Sequence, residues 1–520
     1  MGPEEYLADL YFPATDGVIL AGDLTHAPEF RERYGANLQI AACAPRVVLA
    51  VIERHFRETF RHRAVSDLAE AEPGLSAATV ITTGQLKVFG IFLTVILLML
   101  FAVPRFSEVA LTALFAVVFT ANAVFRAVLL WVGEAGHESA SEASAVPDER
   151  LPIYSILVPL YREANVMPAL VRSLRALDYP KDLLDIKLIV ECDDDETAVV
   201  ADAVATLHSC FSVIRVPPGT PRTKPRACNY AMPFALGEFT VIFDAEDRPE
   251  PDQLRKAVTA FRAMPDSVAC LQARLNFYNA NENWLTRMFA LDYALWFDYL
   301  LPGLDRLNIP MPLGGTSNHF RTEALRAIHC WDPYNVTEDA DLGIRLARVG
   351  LRVRTLDSTT FEEATNSLGN WLRQRSRWLK GYMQTWLVHM RSPVTLVRNA
   401  GLGGFVGFQL FVGGTFLSAL VNPILWAIFL TSEIFGAPLT GAAAHVSILG
   451  LAAGNSLFAY LAMLGPFRRG WLELAPYGLT APVYWLLISC AGARALWQLI
   501  TRPWHWDKTA HGLSKICGAA

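Results

Sequence analysis

Four short stretches carry side chains that could do chemistry. "IKLIVECDDDET" (186–197) ends an apolar run on Asp193, Asp194 and Asp195, and "FDAED" (243–247) ends another on Asp244, Glu246 and Asp247. Two or three such oxygens can hold a hard divalent cation, and Mg2+ or Mn2+ typically bridges one or two carboxylates to substrate phosphates. A cation there would neutralise charge accumulating on a departing diphosphate. The plainer reading is an acidic turn capping the next helix, with Glu250 and Asp252 against its positive end. "TEDADLGIRL" (337–346) brings Asp339 and Asp341 to a helix start, where either could cap or accept a proton. Finally, "NWLRQRSRWLKGYMQTW" (370–386) gathers arginine and tryptophan beside an apolar segment. Both residue types are ordinary anchors at a membrane–water interface.

The elements that must position these groups alternate. "YSILVPLY" (154–161), the helical pattern "ANVMPALVRSLRALDYP" and "IKLIVECDDDET" give strand, helix and strand, and "FSVIRVPP" and "GEFTVIFDAEDRPEPDQL" continue the series. That spacing predicts a parallel sheet. In such sheets ligands bind beyond the carboxyl ends of the strands, which is where the acidic residues fall.

Apolar runs flank this region. The chain has 520 residues, 52% hydrophobic and only 18% charged, a composition high in apolar residues for a soluble protein. Segments 88–103 and 109–132 are apolar on all faces and close to the ~20 residues that span a bilayer. Segments 405–430 and 445–465 read the same way, the former kinked at Asn422-Pro423. Positive-inside counting puts Arg391, Arg398, Arg468, Arg469, Arg494 and Arg502 on the cytoplasmic side, so 479–500 is expected as an interfacial or re-entrant helix rather than a fifth crossing. About eighty mixed residues precede the first apolar run, which argues against a cleaved signal peptide. Eight cysteines without a CxxC pair argue against a zinc site or disulfide framework and for reduced thiols. A net charge of −5 and the lack of a basic stripe interleaved with aromatics argue against a nucleic-acid partner.

Taken in order, "VPLYREAN", "ECDDDET", "PRTKPRACNYA", "FDAEDRPEPDQL", "GGTSNHFR", "TEDADLGIRL" and "QRSRW", with apolar helices on both sides, resemble the processive family-2 glycosyltransferases, the group of cellulose, hyaluronan and chitin synthases, in a bacterial branch with a DAED metal motif. The resemblance implies a glycosyltransferase A-type α/β nucleotide-sugar-binding cytosolic domain inserted between transmembrane helices. It implies an N-terminal domain at 1–84, two transmembrane helices in 85–135, and a catalytic domain at 150–370 with an interfacial helix at 283–304. A second interfacial helix at 371–392, membrane or re-entrant helices in 403–500 and a cytosolic tail at 501–520 complete it. Tyr161, Glu163 and Asp193 or Asp194 would meet uracil and ribose, and Lys224 and Asn229 would line the donor pocket. Asp244 would be the first metal ligand; Glu246 stands where the family has its second aspartate and Asp247 follows it, so either could be the partner. Gly314, Gly315, Thr316, Ser317 and Asn318 would form an acceptor loop.

The same resemblance makes Asp339, in Thr337-Glu338-Asp339, the general base, with Asp341 its rival. Gln374 and Arg377 would face the donor diphosphate and Trp378 would stack on the acceptor sugar, leaving Trp371 and Trp386 as membrane anchors. The implied enzyme polymerises a UDP-hexose, UDP-glucose in the first instance, with Mg2+ or Mn2+, onto a growing glycan acceptor. It exports a β-linked exopolysaccharide across a bacterial inner membrane and its lipid, with the catalytic domain cytosolic. Transfer of one sugar to a polyprenyl phosphate is the alternative, and a non-catalytic nucleotide-binding scaffold a more distant one. The N-terminal eighty residues faintly resemble the N-terminal domain of type II secretion ATPases but suit a plain interaction module, and no PilZ-like signature follows the last apolar run.

Overall fold

In a computed structural model, residues 2–13, 18–34, 39–135, 146–435, 442–510 and 512–514 are described. Among them, the first eighty form a small α/β unit whose strands β1 (Tyr11–Pro13), β2 (Val18–Ala21) and β3 (Gln39–Ala42) make one sheet in that order. This unit has no separate core. Phe60, on its helix Arg57–Ala71, packs edge-on against Phe234 at 5.0 Å, inside a cluster that continues under the central sheet through Tyr230, Leu325 and Trp331.

The central sheet has eight strands: β4 (Tyr154–Leu160), β5 (Leu184–Glu191), β6 (Phe211–Val216), β7 (Phe239–Ile242), β8 (Arg248–Pro249), β9 (Val268–Phe277), β10 (Asn318–Arg321) and β11 (Arg352–Glu362). Their order is β6-β5-β4-β7-β10-β9-β11-β8. The first four are parallel, as the alternating pattern predicts, with Ile156 opposite both Ile186 and Val241. Beyond them the sheet is mixed, because β10 runs antiparallel to both β7 and β9. Helices cover both faces, so β4 and β5 are buried nearly throughout rather than alternating. The carboxyl ends of β4, β5 and β7 lie side by side and present Tyr161, Asp193 and Asp244.

Among the described residues, four helical runs are long and apolar enough to cross a membrane: Thr83–Ala102, Val109–Glu134, Pro393–Thr431 and Leu472–Thr501. Residues Ala442–Leu464 form a further apolar helix. The run 479–500 does not turn back on itself: Ala481–Thr501 is one helix, which corrects the re-entrant expectation. It lies along Leu368–His389, with Tyr484 5.2 Å from Trp371 near their starts and the Pro503 carbonyl accepting from Gln384 near their ends. The expected interfacial segment 283–304 is Trp284–Leu295, a π-helical turn and Leu301–Arg306. It is mostly buried, wedged between the sheet and Pro104–Glu134, so it joins the two layers instead of floating on a surface.

Candidate active site

A cavity of about 330 Å³ runs from the carboxyl edge of β7 into the bundle of apolar helices. Its floor holds Lys224, Asp244, Glu246, Glu338, Asp339 and Glu362, with Gln374, Arg377 and Trp378 on the adjoining wall.

Each floor group is set by a local device. Lys224 opens the helix Lys224–Ala231 and its ammonium pairs with Asp244 Oδ1 and donates to the Gly315 carbonyl at 2.6 Å. Burial opposes the charge, yet Asp244 and Glu338 hold Lys224 above the ordinary lysine value. Thr337, Glu338 and Asp339 sit at the start of the helix Glu338–Arg348. The preceding loop is clamped by the long helix Leu368–His389, where Gln384 accepts from Val336 N at 3.1 Å and Thr385 from Asn335 at 3.0 Å. Gly381 permits this approach, since a Cβ there would stand 2.2 Å from Thr337 Oγ1. Gly315 plays the same part for the base candidate: its absent side chain would meet Asp339 Oδ2 at 3.1 Å.

Burial governs the protonation of this floor. Desolvation, then Asp339 beside it, pushes the Glu338 carboxyl up to about 8. Desolvation also raises Asp339, against hydrogen bonding from Ala340 N. Glu362 is raised by desolvation and by the facing Asp247, Glu246 and Asp244. Asp341 is in a different situation: it is fully buried, with Arg345 at 2.8 Å and His389 at 3.1 Å, and does not line the cavity. Its carboxylate ties two helices together.

The acidic turn after β7 divides by role. Asp244 and Glu246 line the cavity. Asp247 is turned inward, where Oδ2 accepts from Asp244 N at 2.7 Å and from Thr316 Oγ1. Asp247 Oδ1 is buried without a hydrogen-bond partner, and desolvation followed by Asp244 and Glu246 raises its carboxyl well above the usual range. Among the described residues no three His, Cys, Asp or Glu side chains are already gathered as a metal cage. Asp244, which Lys224 holds, and Glu246 nonetheless bring two carboxylates to one cavity, a donor set that fits a hard cation completing its shell with phosphates and water.

Other expected residues lie elsewhere. Tyr161, Glu163, Asp193 and Asp194 form a rim on the ends of β4 and β5, outside the cavity lining. There Arg222 pairs with Asp193 at 2.6 Å and donates to Tyr161 OH at 3.1 Å, while Asp194 caps the next helix through Thr197 N and accepts from Arg162 N. Asn229 does not line a donor pocket. Its amide holds the Trp331 carbonyl at 2.8 Å and the Ala64 carbonyl at 3.2 Å, joining the N-terminal unit to the loop that leads to Thr337. Gly314, Gly315 and Thr316 face the cavity, but Ser317 and Asn318 are buried behind it, bonded to Thr360 Oγ1 and the Gly314 carbonyl at 2.7 Å each. Trp371 is not an interfacial anchor: it is fully buried against Tyr484, and Trp386 donates to Gln409 at 2.8 Å. Arginine and tryptophan alternate there because Arg375, bonded to Asp292 at 2.6 Å, lies over the Trp378 ring at 4.7 Å.

Sequence reasoning missed a strap formed by residues 502–510 together with 512–514. Trp506 lies under the Arg377 guanidinium at 4.5 Å, and the Asp507 carbonyl accepts from it at 3.0 Å. Lys508 reaches the rim, 3.4 Å from Glu163, and Glu363 accepts from Leu513 N and Ser514 N at 2.8 and 2.7 Å. The run of aromatic and charged residues in "WHWDKT" was the available signal.

Comparison with known proteins bears on this geometry. Residues 239–490, just under half of the chain, match the family described as glycosyl transferase family group 2. A beta-monoglucosyldiacylglycerol synthase from Trichormus variabilis is 26% identical over 310 residues, which cover 58% of this chain and 64% of that protein. A protein named "Probable glucomannan 4-beta-mannosyltransferase 1" from Arabidopsis thaliana is 28% identical over 253 residues, 47% of this chain and 45% of that one. Among solved structures, a mannosyltransferase from Pyrobaculum calidifontis in complex with GDP-Man and Mn2+ aligns over 74% of this chain and 99% of its own, at 21% identity and a TM-score of 0.48. Residues 239–490 are thus similar to the family-2 glycosyltransferases.

Proposed function

We propose that this protein transfers a hexosyl group from a nucleoside diphosphate sugar, UDP-glucose in the first instance, to a hydroxyl group of a membrane lipid. One observation carries the reading: the cavity that holds Asp244 and Asp339 continues between apolar helices, through Phe119, Phe458, Trp485 and Ile488, so an acceptor could enter from a bilayer. The beta-monoglucosyldiacylglycerol synthase relative supports a lipid acceptor and favours single transfer over the processive synthesis that the motifs imply.

Asp339 takes the proton of the attacking hydroxyl as its oxygen bonds to the anomeric carbon. The bond from that carbon to the diphosphate breaks, and its electron pair leaves with the nucleoside diphosphate. Lys224 and Arg377 bear on the diphosphate, the guanidinium offering paired donors. Asp244 and Glu246 would hold Mg2+ or Mn2+, whose chemistry is neutralisation of charge on the leaving group. Trp378 offers an aromatic face to an apolar sugar face.

A second reading is polymer synthesis. It is favoured by the polar side chains Asn122, Ser418, Asn422 and Asn455 on the helices that line the cavity, which suit a passing glycan. Purified protein in nanodiscs, given labelled UDP-glucose, Mn2+ and lipid, distinguishes them. One sugar per lipid is the expected product; a long glycan would replace the first reading with the second, and no UDP release with any donor would end both.

A further inference from the structure

The apolar helices contribute a single charged side chain to the cavity among the described residues, and it is Arg126. It lies eight residues before the end of Pro104–Glu134, about 12 Å along the helix. Nε donates to Asn122 Oδ1 at 3.2 Å and Nη2 to Thr415 Oγ1 at 2.8 Å. Three of the five guanidinium N–H groups are thus unused. The rings of Trp296, Phe411 and Phe458 surround it at 5.8, 5.6 and 5.6 Å from their centroids. No carboxylate pairs with it among the described residues: Asp292, the acidic group in its field, is engaged by Arg375 at 2.6 Å.

A cation at membrane depth is costly and ordinarily finds a partner or marks a ligand path. Neutral groups on its own helix and on the helix Gly414–Ile434 account for two donors, and neither carries a negative charge. Arg377 stands on the wall beside the floor carboxylates, whereas the contacts of Arg126 are with Asn122, Thr415 and the rings of Trp296, Phe411 and Phe458. Tyr382, Asp339 and Arg126 line the same cavity, so a ligand within it can reach both the arginine and the carboxylate.

Resting on the lipid-acceptor reading above, we infer that Arg126 anchors the phosphodiester of an anionic phospholipid acceptor whose headgroup hydroxyl is presented to Asp339. The rings hold the planar fork open for bidentate contact, as suits arginine rather than lysine. A neutral diacylglycerol would leave this charge unmatched.

The test uses the full chain in phosphatidylcholine nanodiscs with labelled UDP-glucose and, in separate arms, phosphatidylglycerol, diacylglycerol or polyprenyl phosphate. Phosphatidylglycerol should be labelled at least about tenfold faster than diacylglycerol, the order expected when one charged hydrogen-bonded contact is lost, and R126Q should remove the preference. A second readout needs no turnover: native mass spectrometry of wild type should show retained phosphatidylglycerol, and of R126Q none. R126K, which keeps the charge but not the fork, should lose retention in part, and it carries the test if R126Q does not fold. Equal labelling of diacylglycerol, labelling of polyprenyl phosphate, whose phosphate is itself the attacking group, or unchanged retention in R126Q would overturn the inference. If no lipid is labelled but a glycan forms, the lipid-acceptor reading fails, and retention still reports separately on Arg126.

Discussion

Lys224 and Lys508 each sit beside a carboxylate, Asp244 and Glu163, yet they belong to different kinds of surface. The Lys224 side chain is 14% exposed and the Lys508 side chain 38%. Around Lys224 the floor groups press on one another in a poorly solvated space, and their proton affinities move. Around Lys508 the rim is only partly covered, with Glu163 half-buried but Lys508, Arg222 and Asp193 exposed, so its ion pairs are worth less and rearrange more readily. The comparison teaches that the floor is preorganised for one arrangement of charge, whereas the rim can exchange its internal pairs for a ligand's.

The largest effects should come from the floor. D339N should lower kcat about a hundredfold or more, as loss of a general base does, while calorimetric affinity for UDP stays near wild type. D341N should instead lower Tm, because it strips Arg345 and His389 of their shared partner in a buried network. If D341N is the variant that loses turnover with an unchanged Tm, the division of labour within this helix is reversed.

Next in size, E246Q should raise the Mn2+ concentration for half-maximal rate about tenfold, in keeping with loss of one of few protein ligands. D247N should leave that midpoint alone and lower Tm, since Asp247 braces the turn through Asp244 N and Thr316. A metal titration on both variants decides which acidic residue reaches outward.

A smaller effect concerns pH. The Glu338 carboxyl is raised from 4.5 to about 8, so the folded protein favours its protonated form. Its contribution is fully present below pH 4.5 and is lost as pH rises through about 8. Wild-type Tm should fall by about one degree between pH 6 and 8.5, the scale of about 1 kcal/mol in a chain of this size, and E338Q should flatten that slope. Smallest of all, K508A should raise the KM for UDP-glucose only a few-fold with kcat nearly unchanged, as an exposed pair allows. A K508A defect as deep as that of D339N would place the strap within the floor.

Much of this was legible before any coordinates. The parallel half of the sheet followed from β-branched runs at regular spacing, whereas the acidic residues were expected only as alternatives, Glu246 or Asp247 and Asp339 or Asp341, and it is the cavity lining that separates the members of each pair. What was not legible depended on contacts across long separations. Asn229 reads as a pocket amide in its motif, yet its partners are Ala64 and Trp331. Trp371 reads as an anchor because its environment on the facing helix, Tyr484, lies more than a hundred residues away. Glu362 and Arg126 have no motif at all, and only a shared cavity brings them to the site.

The strap at residues 502–510 and 512–514 has a consequence for biosynthesis. Every floor residue leaves the ribosome before it does, so during translation the donor site exists with Arg377 uncovered and Lys508 absent. Completion of the site is then the last event in making this part of the chain, after the apolar helices have been synthesised. A nascent protein halted before Trp506 would hold the cavity's carboxylates and its apolar helices but not the strap that covers Arg377. On the proposed reading, donor turnover would then wait until the helices lining the acceptor's entrance had been made.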